Sequence, residues 1–137
     1  MEKLNTTVEN FLEQNPLGRI CTIDEHGYPH CVRVDFVYHE QQIYVGASGP
    51  RKWITQLQKN PMVAFETDVY ELLEGGHTDW RGLLIKGEAE VIEDEDQRRR
   101  AAELLQQRHP VAPFGPNPTV VRITFRYLYR WGPWDEP

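Results

Sequence analysis

Polar and apolar residues alternate along much of this chain. Over residues 30–38, Cys31, Arg33, Asp35 and Val37 share one face, while Val32, Val34, Phe36 and Tyr38 make a wholly apolar opposite face. A period of two predicts a strand with one side buried. A second strand is predicted before it, over Leu17–Ile23, and a third after it, over residues 43–47. The turns Asp24-Glu25-His26-Gly27-Tyr28 and His39-Glu40-Gln41-Gln42 join these three into an antiparallel meander. Residues 62–67 read as a fourth strand and residues 80–92 as a long fifth. Gly82 and Gly87 inside that fifth strand predict bulges or close backbone approach. The last strand, over residues 120–131, sets Val121, Ile123, Phe125 and Tyr127 against Arg122, Thr124, Arg126 and Leu128.

Helical spacing is confined to three short segments. Thr6-x-x-Glu9 has the form of a capping box, with Val8, Phe11 and Leu12 on one face and Asn15-Pro16 as the stop. Residues 50–59 place Trp53, Ile54 and Leu57 inward and end at Asn60-Pro61, and residues 94–108 place Ala101, Leu104 and Leu105 inward. Residues 71–79 form a polar loop around Gly75-Gly76, and residues 110–118, with four prolines, form a rigid loop. Six strands with few helices predict a mainly β fold, a closed or split antiparallel barrel, because closure removes sheet edges. Residues 1–137 read as a single domain. The long strands on a short chain also make a dimer plausible.

Composition narrows the partners. The chain is 39% hydrophobic and 11% aromatic, enough for a packed core. A formal net charge of -6 argues against nucleic acid or an anionic membrane as a general partner. No apolar run approaches the roughly 18 residues of a membrane span, and Met1-Glu2-Lys3-Leu4-Asn5-Thr6 has no signal-peptide character, so a cytoplasmic location is expected.

The chemistry concentrates at Val45-Gly46-Ala47-Ser48-Gly49-Pro50-Arg51-Lys52-Trp53. Here a strand turns a tight corner into a helix. Ser48 is placed to cap that helix, and Pro50 suits its first position. Arg51 and Lys52 then fall in the first turn, where the macrodipole is already positive. A bound phosphate would reverse that sign; two solvated surface cations are the competing reading. Cys21 and Cys31 sit opposite each other if indices pair to a sum of 52 across the first turn. That allows a disulfide or a redox pair, although reduced, buried thiols are the expectation for a cytoplasmic chain. The spacing of Cys and His residues matches no metal signature. His30 and His39 fall at strand ends and read as solvent-facing.

The ordered series Gly18-Arg19-Ile20-Cys21-Thr22, Asp-Glu-His-Gly-Tyr-Pro-His, Ile43-Tyr44-Val45, Gly-Pro-Arg-Lys and Gln-Lys-Asn-Pro-Met-Val resembles the pyridoxamine 5′-phosphate oxidase-like FMN-binding split-barrel superfamily. Residues 80–92 resemble its later Gly-x-Ala strand. The resemblance implies a six-stranded antiparallel split β-barrel that dimerises with itself and binds FMN in grooves at the interface. By the same resemblance, Arg51 and Lys52 hold the flavin phosphate, and Arg33, Val34 and Asp35 run beside the isoalloxazine. Thr22 and Ser48 offer hydroxyls to the phosphate or ribityl chain, and Arg81 and Trp131 approach the flavin from the second protomer. Thr22 and Ser48 as a plain strand threonine and helix cap, and Trp131 as core or dimer packing, are the structural alternatives.

Two departures shape the expected activity. The chain closes with Tyr129-Arg130-Trp131-Gly132-Pro133-Trp134 and lacks the Arg-x-His-Asp-Arg-like signature of true pyridoxamine 5′-phosphate oxidases. Resemblance to the nitroimidazole-reductase-like branch lacks that branch's histidine, since the strand before the basic pair is Val45-Gly46-Ala47-Ser48. The expected function is an FMN-dependent oxidoreductase acting on an unknown small molecule, with Trp80 and Trp131 as stacking surfaces. A non-enzymatic flavin-binding or sensing module, or a deazaflavin- or haem-binding member of the fold, is the alternative.

Overall fold

The computed structural model describes residues 3–72, 74–76 and 78–134. Its strands are β1 (Leu17–Ile23), β2 (Pro29–His39), β3 (Gln42–Ala47), β4 (Met62–Asp68), the short pair β5 (Glu71–Leu72) and β6 (Thr78–Asp79), β7 (Gly82–Val91) and β8 (Thr119–Trp131). The helices are α1 (Thr6–Gln14), α2 (Lys52–Lys59) and α3 (Glu95–Arg108). Six strands close into one antiparallel barrel in the order β1-β2-β3-β8-β7-β4. Pairing of β1 with β4, through Ile20 and Phe65 among others, completes the ring. The predicted polar loop is instead the β5–β6 ribbon, with Gly75 and Gly76 at φ +79° and +83° in its turn; Leu73 and His77 of that loop lie outside the described residues.

The apolar row of β2 faces the barrel interior, where Val34, Phe36 and Tyr38 are buried with Ile20, Val45, Phe65 and Ile123. A smaller apolar cluster lies under α3, where Ala101 and Leu105 meet Ile92, Phe114 and Val120. Leu104, expected inward, is only half-buried.

Three local expectations are corrected. First, the cap of α1 is Asn5 rather than the Thr6-x-x-Glu9 box: the Asn5 side chain accepts from the Val8 N–H. Glu9 is thereby free to accept from the Tyr38 hydroxyl at 2.6 Å. Second, the alternation of β8 does not persist to its end. Lys86 pairs with Tyr127 but Gly87 with Phe125, so Arg126 bulges and the facing set shifts by one. Tyr127 therefore points out and Leu128 packs against the core. Gly87 is required at this shift, because a Cβ there would lie 2.0 Å from the Thr124 carbonyl oxygen. Third, Cys21 and Cys31 are disulfide-bonded rather than reduced. The predicted register holds, and it sets their Cα atoms only 4.1 Å apart, directly opposite each other. Reach was therefore never the obstacle to the bond.

Candidate functional site: a cationic corner between two grooves

Strand β3 ends at Ala47, and Ser48-Gly49-Pro50 turns the chain into α2. The helix begins two residues later than expected. Arg51 is its N-cap in extended conformation, with no side-chain capping bond, and Lys52 is the first helical residue. Ser48 is therefore not the cap, and Pro50 precedes the cap position. The Arg51 carbonyl takes up the Ile54 and Thr55 N–H groups. Trp53, Ile54 and Leu57 anchor the helix in the core. That anchoring leaves Arg51 and Lys52 exposed at the positive end of the helix dipole, with no acidic residue in the first turn.

Arg51 donates to the Pro50 carbonyl at 2.9 Å and to Ser48 Oγ at 3.4 Å. Neither Arg51 nor Lys52 forms an ion pair with the described residues, whereas Arg19, Arg33, Arg98, Arg122 and Arg126 are each matched with a carboxylate. On an acidic chain that contrast leaves two unmatched cations side by side at one corner.

Two grooves meet at Arg51. The smaller, about 180 Å³, is lined by Arg33, Val34, Asp35, Ser48 and Arg51, with Trp53 and the 112–114 segment as its other wall. Five residues singled out in the sequence thus come together. Val34 lines this groove although its side chain is buried in the core. Asp35 faces Arg33 at 3.7 Å and the His109 ring at 3.9 Å. Gly46 makes the wall possible: a Cβ there would approach Phe114 to 2.9 Å.

The larger groove, about 570 Å³, runs from Pro50 and Arg51 along the outer face of α2 to Asn60, beneath the β1–β2 turn. In that turn, the Tyr28 and His26 backbone N–H groups donate to Asp24 Oδ1. Chiefly the Tyr28 bond, with that of His26 behind it, holds the Asp24 carboxyl below its ordinary pKa.

The remaining predicted residues are placed differently. Thr22 is fully buried, so its hydroxyl does not reach a ligand directly. It donates to Gln56 Oε1 at 2.6 Å and so orients a residue that does line the larger groove. Arg81 holds Asp79 through two bonds of 3.0 Å and stacks over Phe11 at 5.1 Å. Trp131 lies over Gly82 at the end of β8. Neither Arg81 nor Trp131 lines the grooves at Arg51.

Sequence reasoning missed Gln56, Lys59 and His109. Lys59 had a signal, because it falls on the helix face opposite Trp53, Ile54 and Leu57, whereas Gln56 had none, because its partner Thr22 lies 34 residues away. His109 had none: its Nε2 donates to the Phe36 carbonyl at 2.7 Å across 73 residues of chain.

A six-stranded antiparallel barrel with a basic strand-to-helix corner defines the split-barrel class of cofactor-binding domains. Within that class, the chain belongs to the pyridoxamine 5′-phosphate oxidase family, whose sequence profile matches residues 5–131. Solved structures share the fold. A candidate 5-nitroimidazole antibiotic resistance protein from Bacteroides thetaiotaomicron VPI-5482 superimposes with a TM-score of 0.74 at 18% identity, over 92% of this chain and 82% of that one. A conserved hypothetical protein from Mycobacterium tuberculosis gives 0.78 at 18% identity, over 96% and 86%. A FAD-binding protein from Mesorhizobium loti gives 0.71 at 21% identity, over 94% and 95%. No curated protein matches the chain. Among the described residues no helix is long and apolar enough to cross a membrane, and no cluster of three or more His, Cys, Asp or Glu side chains is placed to hold a metal.

Proposed function

We propose that this protein is an FMN-binding flavoprotein that works as an oxidoreductase on a small molecule, as a homodimer. The observation that carries this reading is the unmatched Arg51–Lys52 pair at the dipole-positive start of α2. A flavin phosphate supplies the charge that the corner lacks, and charge-assisted bonds to it contribute about 1.5–3 kcal/mol each. Family membership and the FAD-binding relative from Mesorhizobium loti support a flavin. When bound, the flavin supplies the hydride and electron chemistry, and the chain supplies binding, orientation and electrostatics. Arg33 and Asp35 would sit beside its ring. Arg81, Trp80 and Trp131 would meet the partner's flavin and the substrate.

The test separates phosphate from ring. Arg51→Ala should weaken FMN binding by about tenfold or more, since 1.4 kcal/mol is a factor of ten, and leave riboflavin nearly untouched. Equal losses for both ligands would contradict the assignment. Reduction of the bound flavin by a nicotinamide donor distinguishes an enzyme from a flavin-binding module.

Pyridoxamine 5′-phosphate is not the substrate in this reading. Where the substrate-phosphate signature is missing, Arg130 instead lies over the Trp134 ring at 5.2 Å. Aerobic incubation should yield no pyridoxal 5′-phosphate, and turnover on the order of 1 per second would refute this.

A further inference from the structure

Neither Cys21 nor Cys31 lines a groove at Arg51. Their bond joins β1 to β2 on the outer face of the barrel, and its surroundings are those of a reactive pair. Strand β3 pairs only with residues 36–39 of β2, so the half of β2 that carries Cys31 has no strand on its far side. Cys31 is therefore exposed, and Cys21, between β2 and β4, is half-buried. An exposed disulfide is open to attack by a thiolate, whereas a buried structural one resists it.

The charge around the pair has one sign. Period two puts Arg19 on the outer face beside Cys21, and Arg33 beside Cys31. The register sets the two arginines opposite each other in the next outward rung, so each is also diagonal to the cysteine of the other strand, at about 7–8 Å. The rung on the other side is apolar, Ile23 against Pro29, and Ala64 of β4 lies across from Cys21. The carboxylates that match the arginines stand beyond them: Glu66 is opposite Arg19 on β4, and Asp35 is two residues past Arg33 on β2. Two guanidinium groups nearer than any of those carboxylates favour a thiolate over a thiol. Cationic surroundings, an exposed sulfur and a second cysteine directly opposite are the marks of a reversible redox site.

We propose that Cys21 and Cys31 are such a site, opened by a small thiol and closed again by a hydroperoxide. A thiolate attacks Cys31 Sγ, the bond between the cysteines breaks, and Cys21 leaves as the thiolate. A second thiol displaces the mixed disulfide, so two thiols become one disulfide and the chain gains two electrons. In the reverse direction the Cys31 thiolate attacks the O–O bond, the alcohol or water leaves, and Cys31 becomes a sulfenic acid. Cys21 then condenses with it and releases water. No flavin takes part in either direction.

The folded parent is treated with reduced glutathione and then iodoacetamide, and labelled cysteines are counted by mass spectrometry. Both should be labelled without urea, with a cooperative thermal melt retained. After glutathione is removed, hydrogen peroxide should abolish the labelling and lower the intact mass by two hydrogens. In Cys21→Ser, peroxide should leave a sulfenic acid at Cys31 that dimedone traps. In Cys31→Ser, Cys21 should react about tenfold more slowly, because it is half-buried. Arg19→Gln/Arg33→Gln should slow alkylation of reduced Cys31 at pH 7 by about threefold or more, with thermal melts showing that each variant is folded. A bond that opens only after urea unfolds the chain, or reduced cysteines that peroxide leaves open to label, overturns the proposal and makes the pair a structural staple. Equal rates at the two cysteines would overturn Cys31 as the attacked sulfur.

Discussion

At the residue scale, the site is made of side chains left over after the fold has taken its share. Among the described residues, seven arginines are tied to carboxylates, yet Arg51 is offered only the Pro50 carbonyl and Ser48 Oγ. The turn facing it depends on Asp24, whose carboxylate accepts two backbone N–H groups and whose pKa lies below the ordinary 3.8. The sign follows from that depression. The ionised form stabilises the turn above the unfolded value, and the contribution is lost as pH falls through the lower folded value. Asp24→Asn should therefore lower the urea midpoint at pH 7, and the gap to the parent should narrow as pH drops below 3.8. A gap that is constant across that range would show that the carboxylate charge is not what holds the turn. The Arg51–Lys52 corner was legible in the sequence because its signals are local: a strand, Ser-Gly-Pro, then two cations. Gln56 was not, because its partner Thr22 lies 34 residues away and only the fold brings the two together.

At the element scale, strand existence was readable and strand detail was not. A period of two locates β2 and β3 without ambiguity. It does not reveal that Arg126 bulges out of the β7–β8 ladder, which reverses the faces of Tyr127 and Leu128. The helix starts moved for a related reason, since a cap is decided by which side chain reaches the third helical N–H. Asn5 does so, and no side chain does at α2. The β1–β2 hairpin shows the same division between register and chemistry. Its pairing was legible from the turn, but the bond between Cys21 and Cys31 depends on surroundings that a sequence does not state. The bridge closes a loop with a sequence separation of 10 residues. Removing it should cost about 2–3 kcal/mol on the chain-entropy account. The measurement compares urea midpoints with and without dithiothreitol, using Cys21→Ala/Cys31→Ala as the reductant-insensitive control. A parent indifferent to reductant would show that the bond contributes nothing to stability. The same hairpin carries Asp24, Glu25 and His30 into the larger groove, so flavin affinity measured in both redox states reports whether the bond also shapes the site.

At the scale of the whole molecule, closure of the barrel relocates the argument for assembly. The apolar row of β2, with Val34, Phe36 and Tyr38, is used up in the interior of the barrel and leaves nothing for a partner. Exposed apolar surface lies elsewhere, on the outside of β1, β4, β7 and β8. There the register aligns Cys21, Ala64, Lys86 and Tyr127 across four strands. Met62 is 70% exposed, Tyr127 63% and Tyr129 51%. An apolar groove of about 810 Å³ runs between Met62 and Tyr127, with the Glu88–Arg126 ion pair beside it. Large exposed apolar surface rimmed by charge is the mark of a docking face, and a two-fold axis through such a face would set it against its own copy. The same assembly would bring Trp131 and Trp80, which do not reach the Arg51 corner of their own chain, into range of the partner's flavin. Introducing a carboxylate there should split the dimer without disturbing the core, because the substituted side chain already meets water. Met62→Asp/Tyr127→Asp is expected to run by light scattering near the 16.1 kDa of one chain, and the parent near twice that. Flavin affinity should fall with assembly, although the Arg51 corner is untouched. A parent protein that stays monomeric at micromolar concentration with flavin bound would refute the shared site, and the ring would then have to be held by one chain alone.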